Sequence, residues 1–183
     1  WQDALDTFAF NHVDANAIQA DLFHISPQEI KQQYDINHID IIIGGPPCQG
    51  FSIAGKRMID DERNQLYKSF VEFVALYQPK VFLMANVPNI ISMGKGSIKE
   101  QIIQDFEALG YTINYKVLLA ADFGVPQNRK RSFFVGLKNG QLFDFPKPLL
   151  SQVITCQEAI SDLSESSLEN GADYMIEPQS HFQ

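Results

Sequence analysis

The sequence predicts an α/β fold in which most strands of one sheet run parallel. Apolar runs of strand length alternate with amphipathic segments of helix length as far as Gly110, which is the pattern of strand–helix–strand crossovers. From Tyr111 the pattern changes to two consecutive strands, so we expect an antiparallel terminal strand pair at the end of a mostly parallel sheet. The composition, 45% hydrophobic and 20% charged, is that of an ordinary globular domain.

Local patterns and capping signals predict the individual elements. We expect helices at about residues 1–12, 27–34, 66–77, 98–109 and 156–163, and strands at about residues 17–21, 39–43, 80–85, 111–120 and 131–137. Capping pairs are expected at Ser26 with Glu29, Ser97 with Glu100, and Thr155 with Glu158. Gly110 is expected to end the fourth helix.

The loop after the strand at residues 39–43 is the segment best placed for chemistry. Pro46 and Pro47 stiffen the chain immediately before Cys48, and ligands bind at the carboxyl edge of open α/β sheets. An arbitrary cysteine is more often a small packed hydrophobe. A thiol on a stiff loop at this edge is instead a candidate nucleophile.

Cysteine content and charge restrict the function classes. Two cysteines, Cys48 and Cys156, are too few and too far apart for a disulfide framework or a Cys-x-x-Cys metal site, so no metal is expected. The net charge of −8 argues against tight binding of nucleic acid by this chain alone, because neutralising phosphates normally requires clustered Lys and Arg. No apolar run approaches the ~20 residues of a membrane span and no signal peptide is evident, so we expect no membrane partner and a cytoplasmic location.

Polar motifs follow three of the predicted strands and are expected to converge. They are Pro46-Pro47-Cys48-Gln49, Ala85-Asn86-Val87 and Gln127-Asn128-Arg129-Lys130-Arg131. In this order and spacing the chain resembles the C5-cytosine DNA methyltransferases over about residues 3–163, including the loop at residues 61–66. The resemblance implies a Rossmann-like S-adenosylmethionine-dependent methyltransferase fold.

The resemblance also implies covalent chemistry on a cytosine flipped out of duplex DNA. In such enzymes the cysteine thiolate, here Cys48, adds to C6 and makes C5 nucleophilic toward the methyl group of S-adenosylmethionine. Arg129 and Arg131 match arginines that contact the target base, and they are candidates for the positive potential that a reactive thiol needs. A solvated basic turn is the alternative interpretation of these arginines.

Further residues are assigned to DNA and to the cofactor by the same resemblance. The expected DNA-binding residues are Gln49, Ser52, Lys56, Arg57 and Gln127, for which ordinary loop polarity is the alternative. The expected S-adenosylmethionine-binding residues are Asp21, Leu22, Pro47 and Leu66. For Asp21, capping of the following turn is the alternative.

One catalytic position departs from the family pattern. The family's Glu-Asn-Val is Ala85-Asn86-Val87 in this chain. In the family that glutamate hydrogen-bonds and protonates N3 of the cytosine, and alanine can do neither. Because loss of a positioned general acid typically costs ~10²- to 10⁴-fold in rate, we expect methyl transfer to be weak or absent.

The resemblance also sets the expected domain organisation. Residues 1–150 are assigned to the catalytic domain, without its Phe-x-Gly-x-Gly cofactor loop, and residues 151–183 to the start of a connection to an absent target-recognition domain. We therefore expect a fragment, or a chain that lacks segments of the full protein. The alternative functions are a non-catalytic DNA-binding or regulatory homologue and a tRNA cytosine-5 methyltransferase. The resemblance also allows a cognate restriction endonuclease as a partner.

Overall fold

The computed structural model describes residues 1–47, 65–149 and 154–160. Its α-helices are α1 (Gln2–Asn11), α2 (Pro27–Gln33), α3 (Gln65–Tyr77), α4 (Ser97–Glu107) and α5 (Cys156–Ile160). Its strands are β1 (Ile41–Gly44), β2 (Val81–Asn86), β3 (Thr112–Leu119) and β4 (Lys130–Leu137). Short 3₁₀ turns occupy Pro88–Ile91, Met93–Gly96 and Ala120–Phe123. No helix in these described ranges is long and apolar enough to cross a membrane.

The strands form one sheet in the order β1-β2-β4-β3. β1 and β2 are parallel, whereas β4 is antiparallel to both of its neighbours. Three strands therefore run in one direction and β4 alone runs against them, which confirms the predicted mixed sheet. Because β4 is reversed, its first residues lie beside the carboxyl end of β2, where Asn86 pairs with Ser132.

Helices α3 and α4 pack on one face of this sheet and form the core. Alternate residues of β2 are buried, including Phe82 and Met84, as expected for a strand with one face against helices. The ring of Phe82 stacks on that of Phe106 from α4, with centroids 4.1 Å apart. Burying each such side chain contributes about 1.5–3 kcal/mol, so this aromatic layer is a principal stabiliser of the fold.

The predicted strand at residues 17–21 is wrong. These residues form no strand and lead into a turn at residues 22–24. A strand needs a hydrogen-bonded neighbour, and among the described residues β1 pairs with β2 alone. The alternating pattern of this short segment carries no information about whether such a neighbour is available.

The predicted capping box at Ser97 is also wrong, although α4 exists. Ser97 is the first residue of the helix, and Gly96 precedes it in a left-handed conformation at φ 92° without a side-chain cap. Glu100 forms an ion pair with Lys99 instead, with Nζ and Oε1 2.7 Å apart. The boxes at Ser26 and Thr155 are confirmed by reciprocal hydrogen bonds to Glu29 and Glu158.

The ring of Phe82 leaves no space for a side chain at Gly136, its partner across the β2–β4 ladder. A Cβ atom at Gly136 would lie 2.1 Å from that ring. We expect Gly136→Ala to lower the free energy of unfolding by about 1–3 kcal/mol, because overpacking forces neighbouring side chains to shift. Urea denaturation measures this loss. With Phe82→Leu present, the same glycine substitution should cost clearly less; equal costs in both backgrounds would contradict the steric explanation.

The buried hydroxyl of Tyr111 is expected to make the protein less stable at alkaline pH. Its hydroxyl donates to the Pro79 carbonyl at 2.7 Å, and burial raises its pKa to about 12, against about 10 in an unfolded chain. Between these values only the unfolded chain releases the proton, so the free energy of unfolding should fall as pH rises from about 10 to 12. Tyr111→Phe should lower stability at neutral pH and make that decline shallower. Chemical denaturation across this pH range tests it, with the exposed Tyr34→Phe as control; equally steep declines would contradict the assignment.

Candidate active site

Three segments meet at the edge of the sheet where β1 and β2 end and β4 begins. We call them the proline turn (residues 45–47), the asparagine turn (residues 85–87) and the basic segment (residues 127–131). Asn86 Nδ2 donates to the Pro46 carbonyl at 2.9 Å, and Ser132 Oγ donates to the Val87 carbonyl at 3.0 Å. The convergence of the three sequence motifs at one edge follows from these two bonds and the β2–β4 register.

Asn86 holds the proline turn with both ends of its amide. Its Nδ2 reaches Pro46, while its Oδ1 accepts the backbone N–H of Val87 at 2.8 Å. The side chain is buried, so both bonds are shielded from water and their loss would leave polar groups unsatisfied. Asn86 thereby fixes the carbonyl two residues before Cys48.

Ala85 presents only a methyl group at this edge. It is half-buried and pairs with Phe133 of β4. A Cβ atom at Gly45 would lie 3.5 Å from the Ala85 carbonyl, so the proline turn passes directly beside this position. A longer acidic side chain at residue 85 would thus start next to the segment that leads into Cys48.

The basic segment is a local concentration of positive charge in an acidic chain. Among the described residues none forms an ion pair with Arg129, Lys130 or Arg131. Arg129 is exposed, and the half-buried Arg131 donates from Nη1 to the Lys130 carbonyl at 2.8 Å. This charge can attract an anionic group such as a phosphate or a thiolate.

Backbone bonds give the basic segment a defined shape. The backbone N–H of Arg129 donates to the backbone carbonyl of Gln127 at 2.9 Å, and the Arg129 carbonyl accepts the N–H of Ala120 at 2.9 Å. Gln127 itself is exposed. Cys156 Sγ lies 3.1 Å from the Pro126 carbonyl and attaches α5 to the same loop. The second cysteine of the chain is therefore a neighbour of this segment.

An apolar pocket of about 500 Å³ lies beside the proline turn. Its lining residues are Leu22, Ile39, Ile41, Ile42, Ile43, Gly44, Gly45, Pro46, Pro47, Leu66, Phe70 and Phe73. Three residues that the sequence assigned to the cofactor, namely Leu22, Pro47 and Leu66, thus lie around one cavity. Its volume falls within the range of small-molecule sites, about 300–1,000 Å³, and its lining is mostly apolar.

Asp21 precedes this pocket wall and takes part in its own turn. Its Oδ1 accepts the N–H of Phe23 at 3.0 Å, and its Oδ2 lies 3.9 Å from His24 Nε2. The carboxylate is exposed. The capping role that the sequence left open for Asp21 is therefore present, and its role toward a cofactor stays a prediction.

Phe70 belongs to both the core and the pocket wall. The helical spacing of Phe70 in the sequence favours a core role over a place in a cofactor site. A Cβ atom at Gly44 would lie 2.7 Å from its ring, so a glycine at the end of β1 is what allows this close packing. The signal available in the sequence was a glycine directly after an isoleucine run, which indicates close approach as well as a turn.

Several predicted site residues lie outside the described ranges. They are Cys48, Gln49, Ser52, Lys56 and Arg57, and their roles stay predictions. Sequence reasoning missed the tie from Asn86 to Pro46 and any role for Ser132, because neither contact leaves a periodic pattern. Within the described residues no group of His, Cys, Asp and Glu side chains is arranged to hold a metal ion.

The fold of the described residues is that of the Rossmann-like methyltransferases, as two solved structures of similar fold show. A crystal structure of an E. coli prophage-encoded protein, described as a DNA modification methyltransferase, matches 91% of this chain and 47% of its own with a TM-score of 0.72 and 33% identity. The Dnmt2 methyltransferase of S. pombe matches 93% of this chain and 48% of its own with a TM-score of 0.58 at 19% identity, a likeness of fold.

The sequence relatives identify the family. The family model for C-5 cytosine-specific DNA methylase matches residues 1–181. The Type II methyltransferase M1.HphI of Haemophilus parahaemolyticus is 44% identical over 85% of this chain and 42% of its own length. M.DdeI of Desulfomicrobium norvegicum is 38% identical over 98% of this chain and 46% of its own length. The chain belongs to the C-5 cytosine-specific DNA methylase family and spans just under half the length of these two relatives.

Asn86→Asp tests the tie between the asparagine turn and the proline turn. An aspartate keeps the shape but places a carboxylate against the Pro46 carbonyl, so we expect a loss of about 1–3 kcal/mol in the free energy of unfolding at pH 7. The loss should shrink toward pH 4, where a protonated carboxyl can donate. Asn139→Asp, which removes an exposed amide donor, is the matched control. Equal effects of the two substitutions would show that the Pro46 bond is energetically unimportant.

Proposed function

We propose that this chain is part of the catalytic domain of a DNA (cytosine-5) methyltransferase. The supporting observation is the meeting of the proline turn, the asparagine turn and the basic segment at one sheet edge. The three segments contain residues of the motifs by which the chain resembles its family, namely Pro46-Pro47, Ala85-Asn86-Val87 and residues 127–131. The bonds from Asn86 and Ser132 join them. The substrate in this proposal is a cytosine flipped out of duplex DNA, because its ring atoms are inaccessible within the stack.

Cys48 is the proposed nucleophile. Its thiolate forms a bond to C6 of the cytosine, which moves electron density to C5 and makes that atom nucleophilic. When bound, S-adenosylmethionine would supply the methyl group to C5, with cleavage of its sulfur–methyl bond and departure of the neutral thioether S-adenosylhomocysteine. Loss of the C5 proton then restores the ring and releases the Cys48 thiolate. The positive charge of Arg129 and Arg131 favours the thiolate form of the cysteine and orients the base.

The pocket beside the proline turn is the proposed cofactor site. Leu22, Pro47 and Leu66 surround an apolar cavity of suitable size, and Phe70 closes it from the core side. These walls fit the adenine ring of S-adenosylmethionine better than its charged end. Asp21 directly precedes Leu22 in the sequence, and we propose that its carboxylate binds a hydroxyl or amine of the same ligand.

DNA binding is assigned to the segment of the sequence after Cys48 and to the basic segment. The proposed contacts are Gln49, Ser52, Lys56 and Arg57 after the nucleophile and Gln127 in the basic segment. We retain residues 1–150 as the catalytic part and residues 151–183 as the beginning of a connection to a recognition domain. Because the relatives are named Type II methyltransferases, a restriction endonuclease with the same recognition sequence is the proposed functional partner.

Ala85 is proposed to impair the reaction. Without a carboxyl group at this position, the chain lacks the family's acid toward N3 of the cytosine. The nucleophile and the arginines are retained, so the missing proton donor is the specific defect. This distinguishes a weakened enzyme from a homologue that has lost the whole site.

Ala85→Glu in the complete encoded protein tests this proposal. We expect methyl incorporation from labelled S-adenosylmethionine into duplex DNA to rise at least about tenfold, since a positioned general acid contributes ~10²- to 10⁴-fold. Ala85→Gln, which adds similar bulk without an acid, should give little gain. Cys48→Ser in the Ala85→Glu background should abolish incorporation and the covalent adduct with 5-fluorocytosine DNA.

The outcomes separate the competing functions. No gain from Ala85→Glu together with no adduct at Cys48 would favour a non-catalytic DNA-binding or regulatory homologue. Incorporation into tRNA rather than duplex DNA would favour the RNA alternative. Equal gains from the Glu and Gln variants would contradict the acid role assigned to residue 85.

A further inference from the structure

We infer that Ser132 is a positioning residue that fixes the asparagine turn against the basic segment. The inference rests on the proposed function for its catalytic consequence, and it extends that proposal to a residue outside the three motifs. Ser132 is a fully buried polar residue in a strand whose next residues are Phe133, Phe134 and Val135. A hydroxyl at such a position is unfavourable unless it makes a hydrogen bond.

That hydrogen bond reaches beyond the regular ladder. The backbone pairing of β2 with β4 ends at Asn86 and Ser132, and Val87 lies past its end. Ser132 Oγ donates to the Val87 carbonyl at 3.0 Å. A side chain thus continues the connection between the strands at the point where backbone pairing stops.

The Val87 peptide is consequently held on both sides. Its N–H donates to Asn86 Oδ1 at 2.8 Å, and its carbonyl accepts Ser132 Oγ and also the N–H of Ile90 at 3.2 Å. Asn86 in turn holds Pro46. Ser132 therefore adds a side-chain link between the asparagine turn, which holds the proline turn, and the strand β4, which contains Arg131.

The catalytic consequence concerns distances within the site. Arg131 directly precedes Ser132, so movement of the Val87 turn relative to Ser132 changes the separation between the arginines and the segment leading into Cys48. Misplacement of a catalytic group by about 1 Å can cost ~10²-fold in rate. A single buried hydroxyl can thereby influence the chemistry without touching the substrate.

Ser132→Ala tests the contact, and Ser69→Ala is its matched control. Ser69 is also a buried serine, but its hydroxyl has no hydrogen-bond partner among the residues that the structure describes. Because the Val87 carbonyl keeps the Ile90 N–H, Ser132→Ala should still fold. We expect amide hydrogen exchange to accelerate about fivefold in peptides covering residues 87–91 and 129–132. Ser69→Ala should leave these peptides unchanged, and Ser132→Thr should restore slow exchange.

The second measurement is the single-turnover rate of methyl transfer in the complete protein carrying Ala85→Glu. Adding Ser132→Ala should lower this rate about tenfold while the affinity for DNA and cofactor changes less than about twofold. Ser132→Thr should recover most of the rate, and Ser69→Ala should not alter it. This separation of rate from affinity is not expected from a general loss of stability.

The possible failures are distinguishable. Unchanged exchange in Ser132→Ala, or faster exchange with an unchanged rate, would overturn the positioning role. Similar effects from Ser69→Ala would show that any buried serine gives the same response. If the Ala85→Glu protein transfers no methyl group, the proposed function fails, and the exchange comparison still decides whether Ser132 fixes the two segments.

Discussion

The antiparallel register between β2 and β4 is the constraint on which the candidate site depends. If β4 ran parallel to β2, its basic first residues would lie at the opposite edge of the sheet from the proline turn. Its reversed direction instead places Ser132 beside Asn86. The register also sets Gly136 against Phe82, so the ladder that aligns the site is anchored in the aromatic core. A shift of one residue would reverse which side chains face the helices.

Core and site share structural elements at this edge. Phe70 packs against Phe82 and Phe106 and also forms part of the pocket wall. The pocket shape therefore depends on helix packing as well as on the loop that contains the prolines. Such sharing explains why an apolar cavity can stay open at the margin of a well-packed domain: its walls are made of residues whose positions the core already determines.

The net charge of the chain is negative, whereas the basic segment at the candidate site is positive. The net charge is −8, yet the basic segment makes no ion pair with another described residue. A local positive region can act on a thiolate or a phosphate even when the total charge is negative, because screening limits the reach of distant charges to about 8–10 Å. Ala85 differs in kind, since no nearby cation can replace a missing proton donor. The proposed defect is therefore the loss of the hydrogen bond and the proton that a carboxyl group at residue 85 would give to N3 of the cytosine.

The sequence by itself determined the alternation of strands and helices, most element bounds to within two residues, and the three motifs that mark the site. These features depend on residues that are close in the sequence: the spacing of apolar residues, the capping residues and the order of the motifs. It could not determine that residues 17–21 form no strand or that Gly96 takes the place of Ser97 before α4, because pairing and backbone conformation depend on neighbours.

Tertiary structure alone decided that Asn86 holds Pro46 and that Ser132 holds Val87. Each contact joins residues about 40 or more positions apart, and a single polar residue gives no periodic signal of its distant partner. The motifs could thus be recognised one by one from the sequence, whereas their alignment into one site follows from the direction of β4.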